Sequence, residues 1–514
     1  MRRAFLLLAA AILFIGPTAL AFATGGYFEE PRLIATCAVW ALVLVLAFLS
    51  PRPLPTSRAG WAALGGLCLI TVWTAVSFAW APLPSPATDN LVRLLLYLGT
   101  LLAALGLLRD ARIARALEPM LAGGALVVIG YGLSGRLLPD LIAMGHSSRA
   151  DGRLEQPITY WNAEGALAAM GMVLCVRLAG DRTRPLWLRA SALAGSVPLA
   201  LGAYLSYSRG AIAAGLIGLV VLVAAAPTRT QVRAAATTVA LGVLTAVCSA
   251  ALPGVASLEG GPSQRATDGA IMLAVLLVTM AGAALLEVVM DHSERTGRLR
   301  SSTLATARQL PAVAIVALGL ALASLVASGL AERSSAEAPS AVRGPARLTS
   351  VDSRRYDYWR VGVEAFADHP IKGVGSGGFR AEWLRHRPAP GYALEVHSLP
   401  LEMAVELGLV GLLGFGVFLG GLGASAGRAL RRERLAAAGP VAAGVVYLLH
   451  ATIDWDWQVP AVTLPAILLF AGVMALGERE AETGEPLDNL VAHGWDIEGA
   501  SNGAPRSATA SPAG

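Results

Sequence analysis

Charge is scarce in this chain. Only 15% of its 514 residues are Asp, Glu, Lys or Arg, against roughly a quarter in a soluble domain, and that shortage excludes an ordinary soluble enzyme. Aromatic residues make up 6%, and there are four cysteines. Cys37, Cys68, Cys175 and Cys248 all fall inside apolar runs with no partner at metal-ligand or redox spacing, so they read as small packing residues. The formal charge of +5, from 40 basic and 35 acidic residues, is modest for this length. The basic residues sit in loops between apolar runs, not along a stripe, so nucleic acid is not an expected partner.

What the chain has in excess is apolar length: 55% of its residues are hydrophobic. A spanning helix needs about 20 apolar residues. Fourteen such runs lie near 4–24, 33–50, 60–80, 90–108, 117–135, 160–178, 188–206, 210–227, 235–253, 269–290, 311–331, 400–424, 438–453 and 459–477. The expected fold is therefore an all-α polytopic membrane protein. The basic start Met1-Arg2-Arg3 and the apolar stretch after it read as an uncleaved first helix in preference to a signal peptide, because further spans follow at once.

Arginines gather at every second junction: Arg2/Arg3, Arg52/Arg58, Arg109/Arg112/Arg115, Arg177/Arg182/Arg184/Arg189, Arg229/Arg233, Arg295/Arg298/Arg300/Arg308 and Arg428/Arg431/Arg432/Arg434. By the positive-inside rule these loops and both termini are expected in the cytoplasm. The expected organisation is eleven helices over 1–331, an extracytoplasmic loop over 332–399 carrying an amphipathic helix, three helices over 400–477, and a disordered cytoplasmic tail over 478–514. Functional groups are expected on the outer face, where the two longest loops lie.

Several constellations fall on that face. In SRRYDYWRVGVEAFADHPIKGVGSGGF, Arg355, Trp359, Val363 and Phe366 recur at helical spacing, which predicts one face of an amphipathic helix ended by Asp368-His369-Pro370. The glycines Gly373, Gly375, Gly377 and Gly378 lack the strand, helix and Lys-Ser/Thr context of a nucleotide loop. They predict a tight turn whose exposed N–H groups could hold an anion. His397 stands at the mouth of the next helix, with Glu402 and Glu406 in its first turns; intramembrane carboxylates are costly unless they pair or act, so capping and pairing compete with a functional role.

The turn YLSYSRGAIAAG sets Ser208, Arg209 and Gly210 at a helix N-terminus, which favours anions. An outward arginine there is either a site residue or a snorkelling one. Arg93 has the same character. The loop GRLEQPITYWNAEG offers Arg153, Tyr160, Trp161 and Asn162, with the aromatics also suiting an interfacial belt. Late in the chain His450 and Asp454, spaced i, i+4, predict one helical face beside Asp456 and two tryptophans, while Gly416 and Gly420 predict a helix-packing pair.

The Ser208-Arg209-Gly210 turn, the segment from Arg355 and Trp359 through the glycine run, His397 with Glu406-Leu407-Gly408, and His450 with Asp454 together resemble the O-antigen ligase and O-antigen polymerase superfamily of bacterial membrane glycosyltransferases. The chain departs from the commoner pattern in having Ser398 after His397, where many relatives have Asn. The resemblance implies a GT-C-like bundle of about 12 to 14 spanning helices in the bacterial cytoplasmic membrane, with no nucleotide sugar, no cofactor and no obligatory metal. It implies a donor glycan on polyprenyl diphosphate and transfer to an acceptor hydroxyl on lipid, glycan or protein.

The residues suit that chemistry. Breaking a bond from sugar C1 to diphosphate builds negative charge on the leaving group, so placed cations matter more than a strong acid. Arginine binds phosphate bidentately and stays charged. Arg209 and Arg355 are the expected diphosphate ligands, helped by Arg153 and Arg93, and His397 is the expected base toward the acceptor. Ser208, Trp359, Glu406, His450 and Asp454 are the further candidate substrate-binding residues. The alternatives are joining of repeat units by a polymerase, and a flippase or transporter of a lipid-linked or anionic solute; no inverted repeat of the transporter kind is visible.

Overall fold

The computed structural model describes residues 2–296, 355–388 and 391–479. The expected helix at 311–331 and nearly all of the tail lie outside the described residues. Among those described there is no strand. The helices are α1 (Arg2–Ala21), α2 (Glu29–Leu49), α3 (Arg58–Val76), α4 (Pro84–Leu107), α5 (Ala111–Leu137), α6 (Trp161–Gly180), α7 (Leu186–Leu205), α8 (Arg209–Ala225), α9 (Arg229–Ala250), the short α10 (Pro253–Ala256), α11 (Pro262–Arg295), α12 (Arg355–Asp368), α13 (Phe379–His386), α14 (Leu399–Arg432), α15 (Arg434–Ala451) and α16 (Pro460–Glu478). Twelve are long and apolar enough to cross a membrane. With α8, which is apolar but only 17 residues long, they account for thirteen of the fourteen expected helices. The protein is an all-α, polytopic membrane protein.

In a bilayer each backbone polar group has to be satisfied within its own helix, so the ends are where side chains decide. Asp110 caps α5 by accepting from the N–H groups of Arg112 and Ile113 at 2.8 and 3.2 Å. Ser57, Ser208 and Thr228 cap α3, α8 and α9 in the same way. Proline in the first turn starts α4, α11 and α14 where no N–H partner is needed. The spans of α6 and α16 are buried on all sides, as befits helices apolar all round, whereas α2, α9 and α11 turn most of their surface outward.

Close helix approach depends on particular glycines. A β-carbon on Gly66 of α3 would lie 2.6 Å from the Gly414 carbonyl oxygen and 2.8 Å from Phe418 Cα on α14, and one on Gly421 would lie 2.7 Å from the Ala59 oxygen. Gly416 and Gly420, expected as the packing pair, face open space instead; the contact stripe of α14 runs through Gly414 and Gly421. Gly66→Val is expected to destabilise the fold by about 1–3 kcal/mol through overpacking. Its neighbour Gly65, whose β-carbon would touch nothing within 4 Å, is expected to accept Val without loss. Paired thermal melts of the two variants in detergent check this.

α14 is not continuous. Gly408 adopts φ 65° and ψ −157° inside it, a conformation open to glycine and costly for other residues. The segment after α12 repairs the break: the Leu409 N–H donates to the Pro370 carbonyl at 2.8 Å, while the Val374 and Gly375 N–H groups donate to the Val405 and Glu406 carbonyls at 2.9 and 3.0 Å. Gly377 N–H donates to the Glu406 carboxylate at 2.8 Å, and Ser376 N–H to the Ser77 hydroxyl at 3.1 Å. These N–H groups are therefore spent on the protein and buried, which corrects the expectation that the glycine turn could hold an anion.

α12 does form at the expected place and ends at Asp368. Its buried residues are Val361, Gly362 and Ala365, with Tyr358, Trp359 and Phe366 partly covered. Val363 is 55% exposed, so the covered face is rotated from the one expected through Arg355 and Val363. At the opposite end of the bundle, Arg189 and Arg233 join α7 and α9 to Glu287, Asp291 and Glu294 of α11. These arginines belong to two of the junctions expected in the cytoplasm.

Candidate active site

At the other end, the starts of α6, α8, α14 and α16 meet the end of α15, and α12 lies over them. The centre of this region is the connection from α15 to α16, HATIDWDWQ. Asp454 is buried there and fully used: it accepts from the Tyr160 hydroxyl at 2.6 Å, the Asn162 amide at 2.7 Å and the Trp455 N–H at 2.9 Å. It also pairs with Arg355 from α12. Burial raises the carboxyl's pKa, but Arg355 and then His450 outweigh that and hold it below the ordinary carboxylate range. Burial followed by the Asp454 charge pushes the Tyr160 hydroxyl well above its ordinary value, so it stays a donor. An ionised, saturated carboxylate thus aims Arg355, whose side chain remains 29% exposed.

His450, expected to share a face with Asp454, does not pair with it. α15 ends at Ala451, so helical spacing stops short of residue 454, and the partner is Asp456: His450 Nδ1 lies 2.5 Å from its carboxylate. The other ring nitrogen lies 3.3 Å from the Ser208 hydroxyl. Ser208 in turn accepts from the Ala211 N–H at 3.3 Å and caps α8. A β-carbon on Gly210 would stand 3.3 Å from the His450 ring, so only glycine sits easily there. The Ser–His–Asp line has the order of a nucleophile triad, yet all three members are buried. It fixes the turn that carries Arg209, the first residue of α8 and half-buried.

His397 has φ 58° and precedes Ser398, the N-cap of α14. Its Nδ1 is 2.9 Å from the Glu395 carbonyl oxygen. A carbonyl only accepts, so Nδ1 carries the proton, and in the neutral ring Nε2 holds the lone pair. Burial is the leading cause that lowers the imidazole's pKa below its ordinary 6.5, which keeps it neutral at neutral pH. The ring is flanked by Tyr358, centroids 5.1 Å apart, and Trp455, 6.2 Å apart. Trp359 donates to the His397 carbonyl at 3.4 Å. Trp455 also packs on Tyr160 at 4.4 Å and Tyr27 at 5.5 Å, so one indole joins the imidazole to the Asp454 cluster.

The remaining expected residues lie around this core. Arg153 stacks 3.5 Å over the Trp161 ring and donates to the Ala150 carbonyl at 2.7 Å. Arg93 is buried and donates to Asn90 at 3.0 Å. Asn90 also donates to Glu406 at 3.1 Å, so these two belong to the layer that holds the glycine turn. Glu402, buried beside them, accepts from Gln458 at 2.6 Å. The structure thus brings Arg355, His397, Asp454 and the Ser208-Arg209 turn into one region and sets Arg93 and Glu406 behind it. Sequence reasoning did not place Tyr160, Asn162, Trp455 or Tyr27 in the site; the first two stood out beside Arg153 and Trp161, with a belt as the competing reading for the aromatics, and nothing local marks their link to Asp454. Among the described residues no group of His, Cys, Asp and Glu is arranged to hold a metal ion.

Residues 194–416 match the family model described as O-antigen ligase. That match supports membership of the O-antigen ligase and polymerase superfamily and a membrane function of the ligase or polymerase type. The matched stretch begins in α7 and ends in α14. It holds Arg209, Arg355, His397 and Glu406, while Tyr160, His450 and Asp454 lie outside it. No curated protein matches the chain.

Proposed function

We propose that the protein transfers a glycan from polyprenyl diphosphate to an acceptor hydroxyl at the extracytoplasmic face of the bacterial cytoplasmic membrane. The observation that carries this is the pairing of a half-buried, carboxylate-anchored Arg355 with a neutral His397 whose Nε2 lone pair is set free by the Glu395 carbonyl. Arg209, at the N-terminus of α8, supplies the second cation to the diphosphate, with Arg153 and Trp359 at the rim. The acceptor oxygen attacks sugar C1, its proton passes to His397 Nε2, and the C1–O bond breaks with its electron pair leaving on the diphosphate. That group departs as polyprenyl diphosphate held by the two arginines. Attack from the face opposite the leaving group inverts the anomeric centre. No metal or nucleotide enters the reaction.

A transporter reading would want these charges near the midplane, in a broken helix facing a cavity. Here they gather at one end of the bundle, and the break at Gly408 is closed by the glycine turn. The two readings separate in proteoliposomes loaded with polyprenyl-diphosphate glycan and an acceptor panel. Transfer predicts polyprenyl diphosphate released in step with glycosylated acceptor. Donor that changes leaflet while its glycan stays attached would overturn the reading.

A further inference from the structure

Between α1 and α2 lies a cavity of about 560 Å3, within the range of about 300–1,000 Å3 usual for ligand sites. Its walls run from Ile12 to Leu20 on α1, with Ala23 just beyond that helix, and from Glu30 to Leu42 on α2, and Leu96 of α4 and Leu464 of α16 close its back. All but Glu30 and Thr100 of the lining side chains are apolar or glycine. Ile12 and Ile34 are 44% and 64% exposed, so the groove is open along the surface that the bilayer covers. Gly16 keeps it wide, since a β-carbon there would meet nothing within 4 Å.

Its position and length are specific. The walls from Ile12 to Leu20 and from Glu30 to Leu42 rise about 12 and about 18 Å at 1.5 Å per residue, close to half the hydrocarbon core of roughly 30 Å. They occupy the half nearer the α1–α2 connection, which is the half nearer the active site. That connection packs Gly25 and Gly26 against Val459 and Pro460, and it carries Tyr27, whose ring meets Trp455 at 5.5 Å. Trp455 in turn flanks His397. The groove's upper end is therefore separated from the active site by one aromatic pair. Charge sets the polarity of the occupant: Glu30 stands at that upper end, so a phosphate would be repelled there and drawn past Tyr27 toward the arginines, leaving hydrocarbon in the groove.

We propose that this groove holds the isoprenoid tail of the lipid-linked donor, one leaflet deep, an inference that rests on the transfer reading above. The experiment uses the full-length protein in nanodiscs with two probes. A polyprenyl diphosphate without glycan, bearing a photoreactive group in its tail, is expected to label peptides within residues 12–42, and Gly16→Phe is expected to abolish that label. Unlabelled polyprenyl diphosphate should displace it and a diacyl phospholipid should not. Labelling elsewhere, or equal displacement by the phospholipid, overturns the inference whether or not transfer is observed. In transfer assays Gly16→Phe, and Ala38→Phe on the facing wall, are expected to raise KM for the long-tailed donor about tenfold while leaving a geranyl-linked donor unchanged. Equal loss with both donors, or none with either, overturns it. Gly65→Phe, which points into open space elsewhere, serves as the unaffected reference.

Discussion

Arg355→Ala is expected to lower the rate of glycan transfer by about 10²–10³-fold, the usual cost of deleting one placed group that stabilises developing charge, with membrane abundance close to wild type. The loss follows from what holds the side chain. Asp454 is bound on every side by Tyr160, Asn162, Trp455 and Arg355, so the carboxylate fixes the guanidinium's direction before any substrate arrives. Arg209→Ala is expected to match it, because the turn that carries Arg209 is held by the Ser208–His450–Asp456 line. Lysine at either position is expected to recover little, since a point charge cannot grip a diphosphate bidentately. Release of polyprenyl diphosphate, measured per mole of purified protein, decides. Wild-type rates in Arg355→Ala or Arg209→Ala would remove these residues from the site.

His397→Ala is expected to cost about 10²–10⁴-fold, the range for loss of a general base, and to remove a pH dependence as well. The Glu395 carbonyl fixes the proton on Nδ1, and burial holds the pKa below 6.5. The base is active when neutral, so the rate should be level at neutral pH and fall as pH drops through that lowered pKa. The groups facing the ring are Asp454, Arg355 and the Glu395 backbone. Asp454 keeps its charge through this range because its own pKa is held low, so it does not add a second acid limb there. A rate–pH profile of wild type beside His397→Ala tests this. An acid limb that survives in the variant would assign the titration to another group, and full activity would reduce His397 to a conformational role at the start of α14.

Much of this architecture is legible from apolar run length, because the bilayer forces each run to close its backbone bonds as a helix. The alternation of arginines likewise marks which helix ends lie together. The turn at Ser208-Arg209-Gly210, the helix from Arg355 and the placing of His397 also follow from local sequence, since caps, prolines and glycines act over a few residues. What local pattern does not carry is pairing at long range. Tyr160 and Asn162 meet Asp454 across 294 and 292 residues, and no periodicity links them.

Three local readings were displaced by one physical detail each. Asp456 replaces Asp454 as the partner of His450 because α15 ends at Ala451. The packing stripe of α14 falls on Gly414 and Gly421 because those are the glycines that meet the α3 backbone, while Gly416 and Gly420 face away from it. The N–H groups of the glycine run are not exposed to an anion because they bridge the break at Gly408 or bond within the protein. Glu406-Leu407-Gly408 gains a reason here as well: Glu406 holds Gly377 with its carboxylate and Gly375 with its carbonyl, Leu407 accepts from Trp73 at 3.0 Å, and Gly408 makes the bend. These residues join the first part of α14 to the glycine turn that follows α12.

The most direct test of the account is the anomeric configuration of the glycosidic bond formed by the purified protein from polyprenyl-diphosphate glycan, without nucleotide or added metal. One base and two cations predict a single displacement, so the product bond should have the configuration opposite to that of the donor. A product of retained configuration would require a covalent glycosyl intermediate and would contradict the roles given to His397, Arg209 and Arg355.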